Sequence, residues 1–124
     1  MRNFKKYDIW IDAMGIVDKI YNAINKFPKN ERYALSSQIS RAAVSIPSNI
    51  AEGAGRNSEK DFARFLEFSL GSAYELKTQL IIAEKRKYIK QCESEIILEE
   101  LISLQKRISG LRNRITQTKT KNQD

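Results

Sequence analysis

The chain has no histidine among its 124 residues. The usual general base at neutral pH is therefore missing. So are triads built on imidazole and the Glu-x-x-His pairs that hold di-iron centres inside helical bundles. Cysteine is almost absent too. Cys92 stands alone, so no disulfide can form within the chain, and one thiolate does not make a tetrahedral zinc site. Such cysteine usage fits a reducing cytoplasm. No apolar run approaches the ~20 residues of a membrane span. Near the start, Arg2, Lys5 and Lys6 lead into a stretch broken by Asp8 and Asp12, which excludes the apolar core of a signal peptide. Glycine is scarce, and Gly53-Ala54-Gly55 comes after a helical stretch, whereas a phosphate loop comes after a strand and opens a helix. Together these absences predict no enzyme, no cofactor, no metal, no membrane contact and no small-molecule substrate.

What is present is helical periodicity. Two prolines and five glycines leave little to interrupt helices. A first helix is expected from Tyr7 or Asp8 to Lys26, with Ile9, Ala13, Ile16, Ile20, Ile24 and Phe27 on one side. Trp10 and Tyr7 lie beside that stripe, as core packing or as a contact surface. Phe27-Pro28 ends the helix, and Asn30 is an expected N-cap for a second helix over Glu31 to Ala54. Ser58, three before Asp61, resembles a capping box for a third helix over Glu59 to Tyr88. Its stripe is Phe62, Phe65 or Leu66, Ser69, Ala73, Leu76, Leu80 and Ala83. A fourth helix over Ser94 to Thr116 carries an unbroken seam of Ile97, Leu101, Leu104, Ile108, Leu111 and Ile115. Short turns predict antiparallel neighbours. The expected fold is all-α: an antiparallel up-and-down four-helix bundle, one domain over residues 1–118 with a polar tail over 119–124.

The second helix is the most distinctive stretch. Leu35, Ile39, Ala42, Ile46, Ile50 and Gly53 keep helical register across Pro47, which predicts a kink there rather than a break. Ser45 and Ser48 are expected to serve the freed backbone, and Gly53 and Gly55 to allow a left-handed ending. Asn49, Glu52 and Arg56 share a helix stripe, either as a ligand contact or as a polar network that fixes packing. Gly71, Ser72 and Ala73 thin the third helix for close approach. Glu75, one turn on, is expected to be a buried carboxylate partnered by Arg41 or Arg56.

The formal net charge is +7, which favours polyanions. Glu84 to Lys90 holds four cations against one acid, with Tyr88 interleaved, and Gln105 to Asp124 holds six against one. An up-and-down bundle puts the ends of the first and third helices at one pole. At the other pole Arg2, Lys5, Lys6 and Arg56 would join Arg112, Arg114, Lys119 and Lys121 as a candidate nucleic-acid patch. The alternative is that these charges solubilise helix ends and complement their dipoles.

QISRAAVSIPSNIAEGAGR (Gln38 to Arg56), together with FARFLEFSLGSAYEL (Phe62 to Leu76), resembles the four-helix-bundle proteins encoded in intervening sequences of bacterial 23S rRNA genes. Asn49 to Gly53, Arg56 and Gly71 to Leu76 carry the match, which extends from about Tyr7 to about Ile115. The family is similar to the accessory bundle protein of diversity-generating retroelements. The resemblance implies an up-and-down four-helix bundle assembling as a homopentameric ring, no known enzymatic activity, and a suspected role with nucleic acid. Pro47, Asn49, Glu52, Gly53, Gly71, Ser72 and Glu75 are the candidate structural and assembly positions. The expected function is a non-catalytic, RNA- or DNA-associated accessory protein. The alternative is a structural or adaptor oligomer that binds a protein partner.

Overall fold

The apolar stripes decide the packing. The computed structural model describes residues 2–123, with side chains as far as residue 117. Four helices carry the fold: α1 (Asp8–Ile24), α2 (Leu35–Ala54), α3 (Glu59–Lys85) and α4 (Gln91–Gln123). Short 3-10 turns at Phe4–Lys6 and Lys29–Glu31 precede α1 and α2. No strand occurs among the described residues. Each helix packs on two others, in the cyclic order α1, α2, α3, α4 and back to α1, and among the described residues the diagonal pairs make no close backbone approach. This is a four-helix bundle. Its core is formed by Ile16, Ile20, Ile39, Ile46, Ile50, Phe62, Leu66, Leu76, Leu80, Ile97, Leu101 and Leu104, all fully buried. A buried side chain of this size contributes about 1.5–3 kcal/mol, so the stripes dominate the energetics.

The α2–α3 pairing is the most extensive, and Gly53 is the reason it is close. A Cβ at Gly53 would lie 2.7 Å from Phe65 Cβ and 3.0 Å from Phe62 Cδ1. The left-handed helix ending expected at Gly53 and Gly55 is not found, because no glycine has positive φ. Absence of a side chain, not backbone freedom, is what position 53 requires. Gly71 behaves differently. It is exposed, and nothing lies within 4 Å of a Cβ placed there. The close approach in this part of α3 comes from Ala73, fully buried, and from Ser72, whose hydroxyl donates to Ser45 Oγ at 2.8 Å.

Helix α2 continues unbroken through Pro47, which is buried. Around the proline, polar groups tie α2 to itself and to α3. Asn49 Nδ2 donates to Ser45 O and Ser45 Oγ, both at 2.9 Å, and Ser69 Oγ donates to Ile46 O at 2.9 Å. Extra acceptor capacity beside a proline is thus filled by side chains. The expectation for Ser45 and Ser48 is not met. Ser45 Oγ accepts from Asn49 and Ser72 and donates to no backbone carbonyl among the described residues. Ser48 is exposed, and Asn49 and Ser69 are the donors, to Ser45 O and Ile46 O.

Helix ends differ from the sequence expectation on every helix, beginning with α1, which stops at Ile24 rather than Lys26. Asn30 falls inside a 3-10 turn, and α2 starts later, with Ala34 as N-cap and no side-chain cap bond. Helix α3 stops at Lys85 rather than Tyr88, since Lys87 turns left-handed at φ 63° and Tyr88 N closes on Ala83 O at 2.9 Å. Helix α4 starts at Gln91 and continues past Thr116. The Ser58 cap matches expectation: its Oγ accepts from Asp61 N at 3.0 Å. Glu75 corrects another expectation. It is exposed, and its Oε1 accepts from Gln79 Nε2 at 3.2 Å. No buried carboxylate needs Arg41 or Arg56 there.

Three ion pairs step along the seam between α1 and α4: Lys26–Glu93, Lys19–Glu100 and Asp12–Arg107. Seven residues down α1 correspond to seven residues up α4 at each step. The aromatic rings of Phe27 and Tyr88 meet near the first of these pairs, 5.6 Å apart. No helix among the described residues is long and apolar enough to cross a membrane.

Candidate nucleic-acid interface

Cations matter for polyanion binding only where carboxylates of the chain leave them available. At the pole formed by the N-terminal arm and the end of α2, three of the expected contacts are already occupied. Arg2 donates through Nη1 to Ala54 O at 3.2 Å and Arg56 O at 2.6 Å. It also pairs with Glu59 and lies 4.7 Å over the Phe62 ring. Arg2 therefore caps the last carbonyls of α2 and pins the arm to α3. Arg56 pairs with Glu52 at 3.0 Å and stacks 4.6 Å over Phe65. Arg112 lies 3.7 Å from Glu67 of α3. Lys5, Lys6 and Arg114 are exposed and enter no ion pair among the described residues. The side chains of Lys119 and Lys121 lie outside the described residues.

The Asn49, Glu52 and Arg56 stripe divides in two. Asn49 bonds to Ser45 beside the proline, while Glu52 and Arg56 form a separate exposed pair. Trp10 is half-buried, edge-on to Phe4 at 5.3 Å, and Tyr7 lies 6.0 Å from Phe62. Both pack the N-terminal arm against the bundle.

The opposite pole is richer in available charge. The α1–α2 and α3–α4 turns meet there, and Lys29, Arg32, Lys85, Arg86, Lys87 and Lys90 enter no ion pair among the described residues. All six are exposed. Two nearby acids are engaged: Glu84 accepts from Ser94 Oγ at 3.0 Å, and Glu93 pairs with Lys26. The Arg86 guanidinium is pushed above its ordinary range chiefly by its interaction with Tyr88 and, less, by Glu31, against an opposing effect of burial. Tyr33 lies on the turn before α2, with 90% of its surface exposed, and the Arg32 guanidinium sits 5.9 Å from its ring.

Sequence reasoning places the Glu84 to Lys90 run at this pole but does not select Lys29, Arg32 or Tyr33. The available signal is the alternation of cations and an aromatic from Lys29 to Tyr33. Among the described residues no cluster of three or more His, Cys, Asp or Glu could hold a metal ion. Cys92 is exposed.

Comparison with curated proteins finds no match. Among solved structures, the chain is similar to a protein of unknown function from the S23 ribosomal protein family of Bacteroides thetaiotaomicron. The TM-score is 0.76 at 23% identity, over 84% of this chain and 97% of that one. At that identity the likeness is one of fold. Residues 5–110 match the 23S rRNA-intervening sequence protein family, and the chain belongs to that family.

Proposed function

We propose that the chain is a cytoplasmic, non-catalytic accessory protein that binds nucleic acid electrostatically, working as a homopentameric ring of antiparallel up-and-down bundles. One observation carries the binding reading. At the pole of the α1–α2 and α3–α4 turns, six exposed cations gather with no ion pair among the described residues, while Glu93 is paired with Lys26 and the remaining acids there, Glu31 and Glu84, are fewer than the cations. A surface of that kind attracts phosphates without sequence preference and releases them with salt. The seam between α1 and α4 adds to it at the other end. There Lys5, in the 3-10 turn before α1, and Arg114, on α4, are exposed cations with no ion pair among the described residues.

The same steps support the antiparallel arrangement of α1 and α4. A bend of α2 at Pro47 belongs to the proposal, supported by the proline's place inside the helix, where it removes the donor to Ala43 O and crowds that carbonyl. Self-association is supported by the apolar groups left outside, including Phe68, Tyr74, Ile81 and Ile82 on α3 and Ile96 and Ile102 on α4. Exposed apolar groups in this number mark a contact surface. The Gln105 amide lines the α3–α4 groove. Its Nε2 is buried with no hydrogen-bond partner among the described residues, a cost that a neighbouring subunit would relieve.

The test is purification with and without nuclease, and then binding to structured RNA and to DNA over a salt series. Binding that weakens linearly in log affinity against log salt is the expected result. No binding at low salt would sink the proposal and leave an adaptor oligomer for a protein partner as the better account.

A further inference from the structure

The groove between the C-terminal half of α1 and the start of α2 differs in chemistry from the others on the bundle. Tyr21, Lys29, Arg32, Tyr33, Ser36 and Ser37 line it, and no carboxylate does. The neighbouring α1–α4 groove is lined by Asp12, Glu99 and Glu100 together with Lys19 and Arg107. With three acids against two cations it is net repulsive to an anion. The α1–α2 groove carries Lys29 and Arg32 on its lining and no carboxylate, with Glu31 beside it on the same turn.

Its aromatic groups are also unusual. Tyr33 leaves 90% of its surface in solvent and Tyr21 leaves 46%. A tyrosine face exposed beside an arginine is a platform on which a nucleobase can stack, with the cation near the phosphate. Bases inside a duplex offer edges to the grooves, whereas an unpaired base offers its face. Lys87, at the same pole, keeps a left-handed backbone at φ 63°, where glycine would sit without strain. A charged side chain held there at a conformational cost is consistent with a contact role.

We propose that this groove binds unpaired nucleotides of a single strand, with Tyr33 stacking on a base, Lys29 and Arg32 on the adjacent phosphates, and the strand continuing over Lys87. The inference rests on the nucleic-acid reading above and adds the ligand class and the site.

The probes are labelled oligo(U) and oligo(dT), with a blunt RNA duplex of equal length for comparison, all at low salt. Both single strands are expected to bind more tightly than the duplex, and a preference between them separates RNA from DNA. Tyr33→Ala should weaken single-strand binding about 5- to 150-fold, the loss expected for one stacked base. Tyr33→Phe should restore it. Met14→Ala removes another exposed apolar side chain, on α1, and should change nothing. Lys87→Gly should raise the melting temperature yet weaken binding. Tyr33→Trp in a Trp10→Phe background should lose emission when oligo(U) binds. Equal affinity for the wild type and Tyr33→Ala, or tighter binding of the duplex, overturns the single-strand site while leaving electrostatic binding intact. Failure of the wild type to bind any probe overturns both.

Discussion

Two glycines in this chain answer to opposite physics. At Gly53, a methyl group would collide with the Phe65 Cβ and crowd the Phe62 ring, and neither atom is the far end of a flexible side chain. Gly53→Ala should therefore lose about 1–3 kcal/mol, the usual cost of forcing extra volume into a packed contact. At Gly71, the added methyl meets nothing within 4 Å, and it would improve an exposed helix interior. Gly71→Ala should gain up to about 1 kcal/mol in the isolated bundle. Urea unfolding of both variants checks the pair, and losses of equal size would contradict the geometry. Neither outcome is legible in the sequence. Both residues sit in motifs that carry the family resemblance, and local spacing alone suggests a packing role for each. Which glycine touches its neighbour depends on the rotation of α2 against α3, a long-range quantity. The same limit hides the role of Arg2. A basic residue in an N-terminal arm looks like a phosphate contact, yet here it caps the end of α2 across more than fifty positions of sequence.

At the level of the helix, the apolar period is legible and the polar joints are not. The stripe residues of α3 and the α4 seam are buried as their spacing demands, apart from half-buried Leu111, because burial follows from periodicity once any partner exists. Helix ends are less legible. The start of α2 shifts because Asn30 bends into a 3-10 turn, and the end of α3 shifts because a lysine takes the left-handed position usually given to glycine. The ion pairs between α1 and α4 lie outside local reasoning altogether, since they require the register of two helices far apart in sequence. That register can be tested directly. Glu100→Lys should place two lysines together at the middle pair and destabilise the fold, and adding Lys19→Glu should recover part of the loss. The coupling expected for such half-exposed partners is about 0.2–1 kcal/mol. It should shrink in high salt, where exposed pairs are screened. Additive effects of the two substitutions in a double-mutant cycle would mean that the pair does not form in solution.

For the whole molecule, charge and assembly act together. A single bundle carries a formal net charge of +7, and the proposed ring would repeat its basic poles around an axis. Repeated weak sites on one rigid body gain avidity for any strand long enough to span two of them, without new contacts. A long single strand should therefore bind the assembly about 100-fold or more tightly than a short one, with a steeper salt dependence because more phosphates are neutralised. In the proposed ring the subunits would meet at the α3–α4 groove, where Tyr74 and Ile102 stand 61% and 37% exposed. Tyr74→Glu together with Ile102→Glu places two charges on that face without entering the core, so the bundle should stay helical by circular dichroism. Its mass in solution should fall to that of one chain. Affinity for the long strand should then drop to the value for the short strand, while short-strand affinity holds, because the α1–α2 groove is untouched. An unchanged mass would show that α3 and α4 are not the seam between subunits. A reduced mass with long-strand affinity preserved would show that one bundle alone does the binding, and that the ring serves some other purpose.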